Sequence, residues 1–297
     1  MPAKILLSGS SGLIGTALLR ALQTSGYEVT CLVRGGAGKG RIGWDPARPL
    51  PPESVSGFDA VVHLAGESIV GRWTEAKKRR IRESRVWGTR NLAQALAAAP
   101  QRPGLLITAS AIGYYGDRGD EILREDSSPG NGFLPEVCRE WEAAAEPAKK
   151  AGIRAAQMRF GLVLSASGGA LQKMLLPFRM GVGGNMGNGR QWWSWVNIDD
   201  LIGAIQHVIK TDTLQGAVNV VAPSPIRNAD FTKTLASVLS RPAIFPMPAF
   251  AARLVFGQVG DELLLASQRV EPAKLMASGF VFQKADLRKT LEDILKK

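Results

Sequence analysis

The sequence predicts an α/β fold in which a doubly wound parallel sheet carries a smaller C-terminal lobe. Three observations point there. Short, continuously apolar runs alternate with segments of helical period as far as Ser165. The first run turns straight into a glycine-rich loop and a helix. Beyond Ser165 the alternation weakens into Gly-, Trp- and Pro-rich stretches.

Ile5-Leu6-Leu7 is the first apolar run, and Ser8-Gly9-Ser10-Ser11-Gly12-Leu13-Ile14-Gly15 follows at once. Leu13, Ala17, Leu18, Ala21 and Leu22 then recur at helical spacing until Gly26 stops the helix. A second strand spans Val29 to Val33 and ends at Arg34, and Gly35 to Pro52 reads as an irregular excursion. Strand character returns from Asp59 to Gly66. A long basic helix is expected from Thr74, its candidate cap, to Ala99, with Pro100 marking its end. Leu105 to Thr108 is the next strand, Trp141 to Lys150 is helical, and Ala155 to Leu164 holds another strand. After Ser165 come the glycine-rich Gly181 to Gly189, a Trp-rich patch, a helix near Asp199 to Lys210 and a strand near Ala217 to Val221. A Pro-rich run from Pro242 to Pro248 precedes the final helices. The expected division is 1–165, with 190–222 returning to it, and a smaller lobe over 166–297.

The chain has 297 residues, 45% hydrophobic and 21% charged, which excludes a disordered or collagen-like protein. Its only cysteines are Cys31 and Cys138 and its only histidines His63 and His207, so neither a disulfide framework nor a Cys/His zinc site is expected. The opening Met1 to Gly9 holds too short an apolar run for a secretory leader, and no apolar stretch is long enough to cross a bilayer. A cytoplasmic protein without a membrane partner is the expectation. The formal net charge of +11 favours an anionic partner: nucleic acid, acidic lipid or a phosphate-bearing cofactor. Lys77, Lys78, Arg79, Arg80, Arg82, Arg85 and Arg90 crowd one helix without interleaved stacking aromatics, so a solvated face is expected there rather than a nucleic-acid surface.

The three glycines carry the chemistry. Gly9 allows a tight turn after the strand, Gly12 lets backbone approach a pyrophosphate, and Gly15 permits close packing of helix on strand. Ser11, Leu13 and Ile14 lie in the same turn, at a helix N-terminus suited to phosphates. This is the arrangement of a Rossmann-type dinucleotide site. About 20 residues on, where an NAD site carries a carboxylate, the second strand ends in Arg34, whose fork suits the 2′-phosphate of NADP. Leu64, Ala65 and Gly66 end another strand with little bulk and leave space for a ribose. His63, flanked by Val62 and Leu64, reads as a packing residue.

Gly9-x-x-Gly12-x-x-Gly15, His63-Leu64-Ala65-Gly66, Ser110 and Tyr114-Tyr115-Gly116 resemble the extended short-chain dehydrogenase/reductase superfamily, the group of sugar-nucleotide epimerases and dehydratases, over about the first 165 residues. Ser84-Arg85, Val137-Cys138-Arg139-Glu140-Trp141-Glu142, Leu176-Pro177-Phe178-Arg179, Gly189-Arg190-Gln191 and Leu263 to Val270 narrow the likeness to an atypical branch, the YfcH-like epimerase-family proteins, over essentially the full chain. The resemblance implies a departure at the reactive positions. The usual Tyr-x-x-x-Lys pair falls at Leu134 and Cys138, and the usual asparagine before Val86-Trp87-Gly88-Thr89 is Arg85. Ser110 is kept. NADP binding without the standard proton relay is implied.

Candidates for chemistry are therefore Ser110, to position an oxygen, and Tyr114 or Tyr115, to approach a carbonyl, with Arg85 both at the cofactor and as a clamp on negative charge. Alternatively both tyrosines only shape the pocket, since nothing in the sequence lowers a tyrosine pKa. Cys138 has no neighbouring His and reads as packing. Gly181 to Gly189 lacks a following Lys-Ser or Lys-Thr, so a mobile lid is expected rather than a triphosphate loop. Trp192, Trp193 and Trp195 wall the substrate site or pack that lid, and Asp199 and Asp200 mark a helix start. The resulting expectation is an NADP-dependent oxidoreductase or epimerase acting on an unassigned small carbonyl or hydroxyl compound. The alternative is an NADP-binding regulatory protein without turnover.

Overall fold

Strands that are apolar on both faces need a layer on each side, and here they gather into one sheet sandwiched by helices. The computed structural model describes residues 3–295; Met1, Pro2, Lys296 and Lys297, which enter the expectations for the two ends, lie outside the described residues. β1 (Lys4–Ser8), α1 (Leu13–Thr24), β2 (Glu28–Val33), β3 (Arg41–Gly43), β4 (Ala60–His63), α2 (Glu75–Ala98) and β5 (Leu105–Ala111) come first. β6 (Ile122–Leu123), α3 (Phe133–Ala143), α4 (Glu146–Lys150), β7 (Arg154–Phe160) and β8 (Leu162–Leu164) follow. Then come α5 (Gly169–Arg179), β9 (Trp192–Trp193), β10 (Trp195–Asn197), α6 (Ile198–Lys210), β11 (Gly216–Val220) and β12 (Ile226–Arg227). The last elements are α7 (Asn228–Leu239), α8 (Ala249–Phe256), β13 (Arg269–Val270), α9 (Ala273–Ala277) and α10 (Leu287–Leu295).

The central sheet has seven strands in the order β11-β7-β5-β4-β1-β2-β3, every neighbouring pair parallel. This is the doubly wound α/β sheet read from the sequence. The order reverses between β1 and β4, which opens a crevice at their carboxyl ends. In register across the middle, Leu7, Val62, Ile107 and Ala156 pack on Leu18 and Leu22 of α1 and Leu201 and Ile205 of α6. One residue back, Leu6, Val61 and Leu106 face Leu92 and Leu96 of α2.

Three segments differ from expectation for local reasons. The excursion from Gly35 to Pro52 contains β3, an edge strand held by pairing to β2 rather than by its own composition. The apolar run from Ala155 to Leu164 divides at Gly161, where a Cβ would come within 2.5 Å of Ser194 O and 2.7 Å of Val221 Cγ1, and β8 leaves to pair with β10. The stretch from Gly181 to Gly189 is strapped down, since Gly183 O, Asn185 O and Gly187 N all exchange backbone hydrogen bonds with Phe245 or Met247. A further core joins Leu171, Leu175, Phe178, Trp193, Trp195 and Phe231, so two of the three tryptophans are packed in this core.

Helix ends follow ordinary chemistry. Thr74 Oγ1 accepts from Lys77 N at 3.2 Å, and Asn197 Oδ1 accepts from Asp199 N at 2.6 Å, so Asn197 is the cap of α6. Asp200 accepts from Gln283 N and Lys284 N at 2.9 Å each, and so anchors the C-terminal segment. After α8 the chain forms a π-helix, Gly260–Leu265, and Glu262 on it accepts from Phe133 N at 3.1 Å and Leu134 N at 2.7 Å. The first turn of α3 is thus capped by a carboxylate from far along the chain.

Candidate functional site

Gly9 turns the chain at φ +73°, and a Cβ there would lie 2.7 Å from Leu64 C and 2.8 Å from Ala65 N. A Cβ on Gly15 would lie 2.1 Å from Gly9 O. Only glycine permits both approaches. Gly12 differs: at φ −78° and ψ 170° it is the N-cap of α1, and the nearest atom to its would-be Cβ is Gly9 O at 3.4 Å. No side chain caps α1 and its first turn has no acidic residue, so leading amides around Leu13 and Ile14 present the positive end of the helix to the exposed Ser11 and Gly12. Such a turn holds an anion.

The floor of the turn is braced from β4. Ser8 Oγ and His63 Nδ1 lie 2.6 Å apart, and Ala65 N donates to Ser8 Oγ at 3.4 Å, which fastens Leu64, Ala65 and Gly66 against Gly9. His63 is fully buried with its ring edge toward Trp44, and burial lowers its pKa to about 4. It packs as a neutral brace.

Arg34 stands exposed at the end of β2. Beyond Gly66 lies a carboxylate that sequence reasoning did not single out. Glu67 meets Lys77 Nζ at 2.6 Å and Arg80 Nε at 3.8 Å. The hydrogen bond from Lys77, with the charges of Lys77, Arg80 and Arg34, holds its carboxyl below the usual range. Its place directly after Leu64-Ala65-Gly66 was the available signal. Arg85 reaches the same loop from α2: Nη1 donates to Glu67 O at 2.9 Å and Ile81 O at 3.2 Å, and the guanidinium lies over Trp141 at 5.0 Å. Burial lowers its pKa. Its hydrogen bonds place it against Gly66 and Glu67, and none reaches Ser110 or Tyr114.

Ser110, on β5, belongs to a buried polar chain. Its Oγ donates to Glu142 Oε1 at 2.7 Å, and Arg159 grips the same carboxylate through Nε and Nη2 at 2.8 Å each. Arg159 Nη1 donates to Tyr115 OH at 2.8 Å, which reaches Asn219 Oδ1 at 2.7 Å. Burial alone would lower the Arg159 pKa, but hydrogen bonds and charge from Glu142 raise it. Sequence reasoning missed Arg159 because a charged residue inside a strand reads as exposed until its partner on α3 is placed.

The two tyrosines part company. Tyr115 is fully buried and burial pushes its pKa up to about 12, against the pull of Arg159. Tyr114 is half-buried with the Arg159 guanidinium 3.5 Å from its ring centre, and its hydroxyl has no hydrogen-bond partner among the described residues. Leu134 and Cys138 are buried on α3 and pack toward Gly113, with Leu134 Cβ 3.4 Å and Cys138 Sγ 4.0 Å from where a Cβ on Gly113 would sit. Burial, and next the charge of Glu142, pushes the Cys138 thiol up to about 12, so it packs as expected and is no nucleophile near neutrality.

Beyond β5 lie two adjoining clefts. One of about 230 Å³ is lined by Gly113, Leu134, Pro135, Asn131 and Glu262. The other, about 340 Å³, is lined by Asp120, Arg190, Arg227 and Gln191, and both share Asp117, Arg253 and Leu265. At the rim the guanidinium groups of Arg227 and Arg269 stack on the Trp192 ring at 4.1 Å and 4.7 Å from its centre, and its Nε1 donates to Asp120 at 2.9 Å. That hydrogen bond, with the ion pair to Arg227 at 2.7 Å, lowers the Asp120 pKa. Among the described residues no group of three or more His, Cys, Asp or Glu is arranged to hold a metal ion.

With the geometry in view, likeness to known proteins becomes informative. The model of the NAD dependent epimerase/dehydratase family matches residues 5–221, and a domain of unknown function, DUF1731, matches residues 247–294. An epimerase family protein of Mycobacterium bovis is 40% identical over 94% of this chain and 93% of its own length. The crystal structure of human epimerase family protein SDR39U1 (isoform 2) with NADPH is similar at a TM-score of 0.91 and 36% identity, covering 99% of both chains. A nucleoside-diphosphate sugar epimerase from Corynebacterium glutamicum is similar at a TM-score of 0.83 and 39% identity, covering 99% of this chain and 58% of that one. The likeness drawn from the motifs holds, and the chain belongs to the NAD-dependent epimerase/dehydratase family.

Proposed function

We propose that the chain binds NADP(H) at the glycine turn and uses it for hydride exchange with a small carbonyl or hydroxyl compound seated in the cleft beyond β5. The observation that carries this reading is the uncapped, carboxylate-free first turn of α1, closed over Gly9 and Gly15, with a guanidinium at the end of β2. The NADPH named with the human relative supports the phosphorylated dinucleotide.

In this reading Gly9, Ser11, Gly12, Leu13, Ile14 and Gly15 hold the pyrophosphate by backbone amides, and Arg34 meets the 2′-phosphate. Leu64, Ala65 and Gly66 leave room for a ribose, and Arg85 orders that loop through Glu67 O. When bound, NADP(H) supplies or accepts the hydride. Ser110 has its hydroxyl hydrogen committed to Glu142, so it meets a ligand as an acceptor. The unpartnered hydroxyl of Tyr114 is the group left to give a proton to a substrate oxygen or take one from it. Residues 1–165, rejoined by 190–222, hold the cofactor, and 166–297 form the substrate side.

One observation favours a second reading. Leu134 and Cys138 occupy the places where the resemblance puts the tyrosine and lysine, and neither moves a proton near neutral pH. A protein that holds NADP(H) without turnover would look like this. Calorimetry separates the parts: NADPH binds more tightly than NADH, and Arg34→Ala removes about 1.5–3 kcal/mol of that preference, roughly ten- to a hundredfold in Kd. Equal affinity of the unmodified protein for both dinucleotides overturns the role of Arg34. A carbonyl panel that consumes bound NADPH in single turnover supports the enzyme, and silence across a broad panel with cofactor bound selects the second reading.

A further inference from the structure

The C-terminal lobe carries an apolar face that no core covers. Leu176 and Met180 at the end of α5, Ile244 and Phe245 in the Pro-rich loop, and Phe250 and Leu254 on α8 are between 57% and 77% exposed. These segments lie side by side: Phe245 N donates to Gly183 O at 3.1 Å, Met247 N to Asn185 O at 2.8 Å, and Arg241 Nε to Arg179 O at 3.1 Å. α8 then begins directly at Ala249. An apolar surface this extended marks a contact site.

The segments that carry it are rich in cations. Between Glu146 and Asp199, and again between Asp230 and Asp261, the sequence holds no Asp or Glu, whereas Lys173, Arg179, Arg190, Arg241 and Arg253 all fall within these spans. Among the described residues, Arg253 alone of the five forms an ion pair, at 2.7 Å with Asp261. A second copy laid on this face would set four unpaired cations against four, with Asp261 already engaged by Arg253, which disfavours self-association. Side chains that stand three-quarters free of the surface, as Ile244, Phe250 and Leu254 do, suit a fluid interface that closes around them.

We propose that this face docks on an anionic lipid surface, with Phe245, Phe250 and Leu254 entering the headgroup boundary and Lys173, Arg179 and Arg241 meeting the headgroup phosphates. The contact lies on the bilayer and does not cross it, since no helix among the described residues is long and apolar enough to span. It replaces the expectation of no membrane partner, which rested on spanning segments alone; exposure is a property of the folded chain.

Flotation of the full chain with vesicles tests this. Co-flotation is expected with phosphatidylcholine vesicles containing phosphatidylglycerol and not with phosphatidylcholine alone. Phe250→Asp with Leu254→Asp lowers the partition coefficient at least about tenfold, since two apolar side chains lose their burial. Arg79→Ala with Arg90→Ala on α2 changes the net charge equally and leaves partition nearly unchanged. Ile244→Ser with Phe245→Ser serves as a second apolar variant, and an unchanged Tm certifies folding of each. The proposal is overturned if the unmodified protein stays unbound to anionic vesicles, or if all the double variants lose binding alike. It is equally overturned if light scattering finds a dimer that the Phe250/Leu254 variant abolishes.

Discussion

Replacing Gly12 and Gly15 separately by alanine separates ligand binding from folding. At Gly15 the new methyl would stand 2.1 Å from Gly9 O, 2.8 Å from Gly9 C and 2.9 Å from Ser10 Cα. Carbon contacts are comfortable near about 3.5 Å, so the turn or α1 must shift by more than about 1 Å. Overpacking of this kind costs about 1–3 kcal/mol, and contact with backbone puts it at the upper end. The helix preference of alanine returns roughly 1 kcal/mol, leaving a net loss of about 2 kcal/mol. At about 2–4 °C per kcal/mol for long chains, Tm falls by about 4–8 °C. Gly12 behaves oppositely: its backbone is already extended at φ −78°, its nearest neighbour is 3.4 Å away, and alanine there is neutral or stabilising by about 0.4–1 kcal/mol. Yet its methyl projects where a diphosphate must approach the amides, so NADPH affinity drops at least about tenfold, about 1.4 kcal/mol. Thermal unfolding and calorimetry on the same preparations read both quantities. Wild-type NADPH affinity in Gly12→Ala would falsify the assignment of the turn, and an unchanged Tm in Gly15→Ala would refute the close approach.

Further outcomes follow from the buried polar groups. His63 has a folded pKa of about 4 against 6.5 when solvated, so between those values the unfolded chain binds a proton that the folded chain refuses. Stability is therefore fully present above pH 6.5 and declines toward pH 4, by on the order of 3 kcal/mol; His63→Gln flattens this decline, and parallel urea midpoints for both proteins between pH 7 and 4.5 would contradict it. Arg159→Met strands the Glu142 carboxylate and costs about 3–5 kcal/mol in urea unfolding, most of it recovered by adding Glu142→Leu; additive losses in the pair would disprove their coupling. Tyr114→Phe slows any single-turnover NADPH oxidation by about 10²–10⁴-fold with Tm unchanged, whereas Tyr115→Phe lowers stability by about 1–3 kcal/mol. The reverse pattern would exchange their roles.

What the sequence made legible follows from range. β1, β4 and β5 announce themselves because a strand buried on both faces leaves a continuous apolar run. The glycine turn is equally legible, since its three glycines fall within seven residues, although the wall that excludes a Cβ at Gly9 is the distant Leu64 and Ala65. β3 was hidden because Arg41-Ile42-Gly43 has one apolar residue and exists through pairing with β2. Ser110 was found by its motif, but not its partner: Glu142 lies 32 residues away and Arg159 a further 17, and only the packing of α3 on β5 and β7 joins them. The exposure of Leu176, Phe250 and Leu254 was not legible, because hydropathy does not report which side of a helix finds a neighbour.

The carboxylate that seals the start of α3 has a consequence for biogenesis. Glu262 is polymerised 129 residues after Phe133. At about 5–20 residues per second the ribosome needs roughly 6–26 s to deliver it. Until Glu262 arrives, the leading amides of the helix bearing Leu134, Cys138 and Glu142 lack their carboxylate partner. Translation therefore delivers the cap of this helix only after the central sheet has been made, and a transcript truncated before codon 262 yields a polypeptide whose central sheet is complete but whose reactive wall is unfastened.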